Sequence, residues 1–100
     1  MYWKEVAFIS ANKIRKQIIE TIGSSNKPLT PTQIATVTKI ARSNVSSKLL
    51  ELNSRNLIKC LNPEARKFRI YKLTTKGKRV FEKIKTLKNT ISVTRQKNLA

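Results

Sequence analysis

The first periodic signal along the chain is the series Ile14, Ile18 and Ile22, spaced by four, which lays one apolar stripe along a helix over residues 11–22. Ser10 stands where an N-cap belongs, and Gly23 stands where a helix stops. Residues 2–9 predict a shorter helical lead-in. From Gly23 to Leu29 the pattern breaks into Ser24, Ser25, Asn26 and Pro28, a polar, turn-rich connection. Thr30-Pro31-Thr32-Gln33 then supplies a cap hydroxyl, a proline at the first helical position and a glutamine three residues after the cap. Those residues form a capping box ahead of Ile34 and Val37, so a helix of about two turns is predicted there.

A break at Thr38-Lys39-Ile40 separates this helix from a longer one that begins near Arg42 and carries Val45, Leu49 and Leu52 on one stripe. Asn56 follows at the position suited to a left-handed residue. Two β-prone segments come next, Leu57–Leu61 and Phe68–Leu73, around the loop of residues 62–67, whose Asn62-Pro63 start suits a hairpin tip. Phe68 and Tyr71 read as strand-packing residues. Thr74 is a plausible cap for a last helix through Val80, Ile84, Leu87 and Ile91, whose 4, 3, 4 spacing is that of a short pairing seam. Residues 92–100 carry little apolar content and are expected to be frayed.

A helix, tight turn and helix followed by a two-stranded hairpin make an α+β, mainly α arrangement: a winged helix-turn-helix with a two-stranded wing and a C-terminal dimerisation helix. Residues 1–86 are expected to form that domain, and residues 87–100 an extension of its last helix. On a helical wheel Val45, Leu49, Leu52 and Ala41 share one arc. Ser43, Asn44, Ser47, Lys48 and Glu51 point outward, with Arg42 and Ser46 at the flank. A face of small polar and basic residues can approach base edges: Asn44 offers a bidentate match to adenine, Arg42 to guanine or phosphate, and Ser46, Ser47 and Lys48 further donors. Arg66, Lys67 and Arg69 in and after the hairpin tip are placed to clamp a phosphate or enter a minor groove. For Arg69 and Lys72, protection of an exposed strand edge is an equal alternative.

The string Leu29-Thr30-Pro31-Thr32-Gln33-Ile34-Ala35, followed by Ile40-Ala41-Arg42-Ser43-Asn44-Val45-Ser46-Ser47-Lys48-Leu49, resembles the helix-turn-helix of the MarR and ArsR families of transcriptional regulators. Residues 60–67, with Arg69-Ile70-Tyr71-Lys72-Leu73-Thr74 and Gly77, are similar to the wing and following helix of small archaeal winged-helix regulators. The resemblance implies a homodimeric DNA-binding protein. Three positions depart from it: Lys39 replaces the usual turn glycine, Ala41 the usual Ser or Thr cap, and Phe68 a glycine common in the wing. A left-handed backbone at Lys39 is the expected consequence of the first.

Composition sharpens this reading. Of 100 residues, 22 are Lys or Arg and 5 are acidic, giving a formal charge of +17, while 39% are apolar and can still line a core. Self-repulsion on that scale favours a polyanionic partner, double-stranded DNA first. With no His, no Asp and the single Cys60, the parts of a nucleophile–base system or a zinc site are missing, and no phosphate-cradling glycine loop occurs. No enzyme activity, cofactor or metal is expected. Cys60 reads as a small packed hydrophobe, and Tyr2, Trp3 and Phe8 as core or interface residues, not as an effector pocket. No residue names a small-molecule effector. The absence of an apolar signal or spanning run predicts a cytoplasmic, nucleoid-associated protein without a membrane partner. Val80, Ile84, Leu87 and Ile91 are the expected dimer interface. Two other readings stay open: a winged-helix protein-interaction module, and a sequence-neutral chromatin or RNA binder.

Overall fold

The computed structural model describes residues 3–86. In chain order these form α1 (Trp3–Ser10), α2 (Lys13–Ser24), α3 (Pro31–Thr38), α4 (Arg42–Ser54), β1 (Ile58–Cys60) and β2 (Tyr71–Leu73). A further helix, α5, starts at residue 75 and continues to residue 86, where the description ends. The strands pair antiparallel with Ile58 opposite Leu73, Lys59 opposite Lys72 and Cys60 opposite Tyr71. Leu29 adds a one-residue bridge to Tyr71, with N–H···O bonds of 2.8 and 3.0 Å in the two directions. That bridge ties the α2–α3 connection to the root of the wing.

One core holds these elements together. Val6 and Ile9 of α1, Ile18, Ile19 and Ile22 of α2, Ile34 of α3 and Val45, Leu49 and Leu52 of α4 meet Leu57, Ile58, Tyr71, Leu73, Val80 and Ile84. Apart from Val37, which is 65% exposed on α3, and Leu87 and Ile91, which lie outside the described residues, the predicted stripes face this cluster, because only that face removes hydrocarbon from water. The capping box forms as predicted: Thr30 Oγ1 accepts from Gln33 N (3.1 Å) and Gln33 Oε1 accepts from Thr30 N (2.9 Å). In the turn between α3 and α4, Lys39 has φ 61° and its N–H reaches Ala35 O at 2.8 Å. Thr38 Oγ1 steadies that turn by donating to Ile34 O (2.7 Å) and accepting from Ile40 N (3.3 Å). Asn56 takes the left-handed conformation at φ 60°. Thr74 caps α5 by accepting from Gly77 N at 2.9 Å and donates to Asn56 O.

Several boundaries differ from the sequence reading. Asn12, not Ser10, caps α2: its Oδ1 accepts from both Ile14 N (2.9 Å) and Arg15 N (3.1 Å), while Ser10 closes α1. Gly23 lies inside α2, where a Cβ would meet the Phe81 ring at 2.8 Å, so its smallness serves helix packing and not helix termination. The strands are shorter than predicted because Asn62 gathers the tip into a wider loop. Ala41 is exposed and caps α4 without a side-chain bond. Tyr71 is buried as expected, but Phe68 is 80% exposed with φ 57°, so it is not a packing residue.

Candidate nucleic-acid interface

α4 turns its stripe of Val45, Leu49 and Leu52 into the core and leaves Arg42, Ser43, Asn44, Ser46 and Ser47 exposed. Helical spacing puts Ser43 and Ser47 on one outer line, with Ser46 and Asn44 on opposite flanks of it. The Arg42–Ser46 flank faces a groove of about 510 Å³ whose other walls are Thr30, Pro31 and Thr32 at the start of α3 and Arg66, Lys67, Phe68, Arg69 and Tyr71 of the wing. Four cations and no carboxylate line it. Arg42, Arg66 and Lys67, read from the sequence as contacts on two separate elements, therefore share one concavity with α4.

The wing owes its shape to Asn62. Its Oδ1 accepts from Ile70 N at 2.8 Å and from the Cys60 thiol at 3.5 Å, and its Nδ2 donates to Phe68 O at 3.1 Å. Arg69 belongs to the same brace, because its guanidinium donates to Ala65 O (2.7 Å) and Pro63 O (3.1 Å). It stiffens the tip while keeping its charge in the groove. Arg66 and Lys67 are exposed and spend no donor on a carboxylate among the described residues. Cys60 is half-buried at the base of this loop.

Lys48 does not stand free on the outer face as the wheel suggested. Its Nζ lies 3.1 Å from Glu51 Oε2, and the same carboxylate takes Arg15 Nε and Nη2 of α2, each at 2.8 Å on Oε1. Arg15 also donates to Phe8 O (3.0 Å) and stacks on the Phe8 ring from 3.8 Å, with Arg55 over the ring at 3.9 Å. Hydrogen bonds from Lys48 and then Arg15 hold the Glu51 carboxyl below the usual carboxylate range. The cluster clamps α4 to α1 and α2. Periodicity could not find the Arg15–Glu51 pairing, which spans 36 residues, although Lys48 and Glu51 are three apart on α4.

Sequence reasoning also passed over Leu50, which is 70% exposed on α4. It stands one turn beyond Ser46 and Ser47, and its apolar character among polar neighbours was the available signal. The expected dimer seam divides. Val80 and Ile84 are 0% and 4% exposed inside the chain's own core and have no surface left for a second copy, which corrects that part of the expectation. Leu87 and Ile91 lie outside the described residues. No helix among the described residues is long and apolar enough to cross a membrane, and no group of His, Cys, Asp or Glu among them clusters as a metal site.

A helix pair with a two-stranded basic wing defines a winged helix-turn-helix domain. No protein-family profile and no curated protein matches the chain. Solved structures do. MepR, a transcription regulator of the Staphylococcus aureus multidrug efflux pump MepA, superposes with a TM-score of 0.83 at 18% identity over 97% of this chain and 72% of its own. A MarR family transcription regulator matches at 0.74 and 21% identity, over 85% of this chain and 57% of its own. A possible HxlR family transcriptional factor from Thermoplasma volcanium GSS1 matches at 0.72 and 22%, over 91% and 82%. MepR matches again in its complex with DNA, at 0.74. The likeness is one of fold, and the chain spans between just over half and four-fifths of the lengths of these proteins.

Proposed function

We propose that this protein is a sequence-specific double-stranded DNA-binding transcriptional regulator. The observation that carries the reading is the carboxylate-free groove in which Arg42 of α4 faces Arg66, Lys67 and Arg69 of the wing. A phosphate backbone lying in that groove brings the outer face of α4 against the adjacent major groove. Arg42, Ser43, Asn44, Ser46 and Ser47 then read bases or their flanking phosphates, and Arg66, Lys67 and Arg69 hold the backbone beside them. Lys48 contributes through Glu51, as part of the clamp that fixes the attitude of α4. Neighbours of like fold are named as transcription regulators, one in complex with DNA, which supports the reading.

The protein acts as a homodimer in this reading, with residues 1–86 as the DNA-binding domain and residues 87–100 extending α5 so that Leu87 and Ile91 pair with a second copy. Two recognition helices would meet successive major grooves about 34 Å apart. A cytoplasmic location beside the nucleoid and the absence of catalysis accord with this role. In vitro selection of bound duplexes tests it: a recovered two-fold repeat supports the proposal. Equal retention of all duplexes points to the sequence-neutral alternative, and salt-insensitive or absent binding to the protein-interaction module.

A further inference from the structure

Among the described residues Phe68 is the most exposed of the large apolar side chains, at 80%, and it sits between Lys67 and Arg69 on the wall of the groove shared with Arg42 and Ser46. Its backbone has φ 57°, a conformation that glycine adopts freely and a residue with a bulky Cβ substituent rarely does. The ring does not swing back to the core, because its own carbonyl is held by Asn62 Nδ2 and the next two residues are pinned by Arg69 on Ala65 and Pro63 and by Ile70 N on Asn62. The tip thus presents a rigid aromatic knob in a ring of cations.

Two features select the partner. The cations call for a polyanion, and the projecting ring calls for an apolar surface that the polyanion can open. A DNA base step meets both, since apolar wedges, Phe among them, enter the minor groove, part a step and kink the duplex. Pyrimidine–purine steps open most easily. We propose that Phe68 is such a wedge: it enters the minor groove flanking the segment met by α4, partly unstacks one base step and bends the DNA. The inference rests on the DNA-binding reading above and adds to it a deformation that base contacts alone do not require.

The test uses the full chain on a duplex recovered by selection, with dyes at both ends to report bending by energy transfer and 2-aminopurine in the flanking step to report unstacking. Wild type at saturation raises both signals. Phe68→Gly removes the ring and relieves the left-handed strain, so it melts at or above the wild-type temperature while losing both signals and binding more weakly by about five- to a hundredfold per protomer engaged, the worth of one base–aromatic stack each. Phe68→Leu retains part of the bend. Arg66→Ala/Lys67→Ala keeps the bend at saturation but has a shallower salt dependence. A straight, stacked wild-type complex overturns the wedge, as does a Phe68→Gly variant that bends DNA with wild-type affinity or that melts lower because the ring was structural. Those outcomes leave salt-sensitive duplex binding intact, whereas a wild type that binds no duplex refutes the DNA-binding reading itself.

Discussion

Replacing Arg66 and Lys67 together by Ala removes two of the three groove cations whose donors are not committed to the wing itself. The size of the effect follows from counterion release. Each phosphate neutralised contributes about −0.9 to the slope of log K against log salt. With Arg42, Arg66 and Lys67 each on one phosphate, a protomer has a slope of roughly −2.7 and two protomers on one site roughly −5.4. Between 50 and 200 mM salt the wild-type dimer therefore loses about 2 × 10³ in affinity, and the double variant, with one cation left per protomer, only about twelvefold. Both residues are exposed at the loop tip and neither supplies a wing-bracing bond, so the variant is expected to keep its fold and melting temperature.

Fluorescence anisotropy of a labelled duplex, titrated at four or five salt concentrations, reads both slopes directly. Equal slopes for wild type and variant would show that the wing touches no phosphate and that the groove is not the backbone seat. A slope already near zero in the wild type would refute DNA binding altogether.

Other consequences are checked as simply. Asn44→Ala should relax preference at one base position by about 1–3 kcal/mol in a competition assay and leave the salt slope unchanged. If Leu50 meets a thymine methyl, uracil in place of that thymine should weaken the wild type by about fourfold, the worth of one buried methyl, and should not affect Leu50→Ala. Gly77→Ala drives a Cβ into the carbonyl of Leu57, a backbone atom that cannot step aside, and should cost about 3 kcal/mol and more than roughly 10 °C in melting temperature. Glu51 has a folded pKa lowered by Lys48 and Arg15, so its contribution to stability is present above the unfolded value of about 4.3 and is lost as pH falls through the lower folded value. Melting curves between about pH 5 and pH 3 should therefore fall more steeply for wild type than for Glu51→Gln, and parallel curves would remove the clamp from the account.

Local physics is legible in the sequence wherever one residue decides the outcome. The Thr30–Gln33 box, Pro31, the left-handed turns at Lys39 and Asn56 and the Thr74 cap all depend on neighbours within four positions, and each forms as those neighbours require. The arc of Val45, Leu49 and Leu52 was readable for the same reason. Most of what escaped depends on partners distant along the chain, the cap of α2 at Asn12 in place of Ser10 being a local exception. A helical wheel puts Glu51 one turn from Lys48, but does not show that Arg15, brought in by the α2–α4 packing, shares that carboxylate. A seam spacing shows that Val80 and Ile84 share a stripe, but not whether α2 or another copy covers it. Phe68 looked like a strand residue because its chemistry is β-prone, and only the hydrogen bonds of Asn62 to positions 68 and 70 expel it.

The placement of the few acidic side chains gives the molecule its polarity. Glu51 faces Arg15 and Lys48 on the side of α4 turned toward α2, and Glu5 pairs with Lys76 at 3.3 Å where α1 meets α5. Neither carboxylate reaches the groove. A chain with so few anions can hold its elements in register by ion pairs only at one or two junctions. Here those junctions lie away from the groove, so the internal clamps consume cations there and leave Arg42, Arg66, Lys67 and Arg69 in a groove that no carboxylate lines. An equally basic chain with Glu51 placed one turn earlier on the opposite flank, at Ser46, would put that carboxylate in the groove wall beside Arg42. The same fold would then repel the phosphates that it now attracts. Transferring the charge, by Glu51→Gln together with Ser46→Glu, keeps the net charge at its present value and tests that statement: duplex affinity should fall and the salt slope should flatten although total charge is unchanged. If affinity follows net charge alone, the two changes together will leave it as it was, and the groove will have no special standing on the surface.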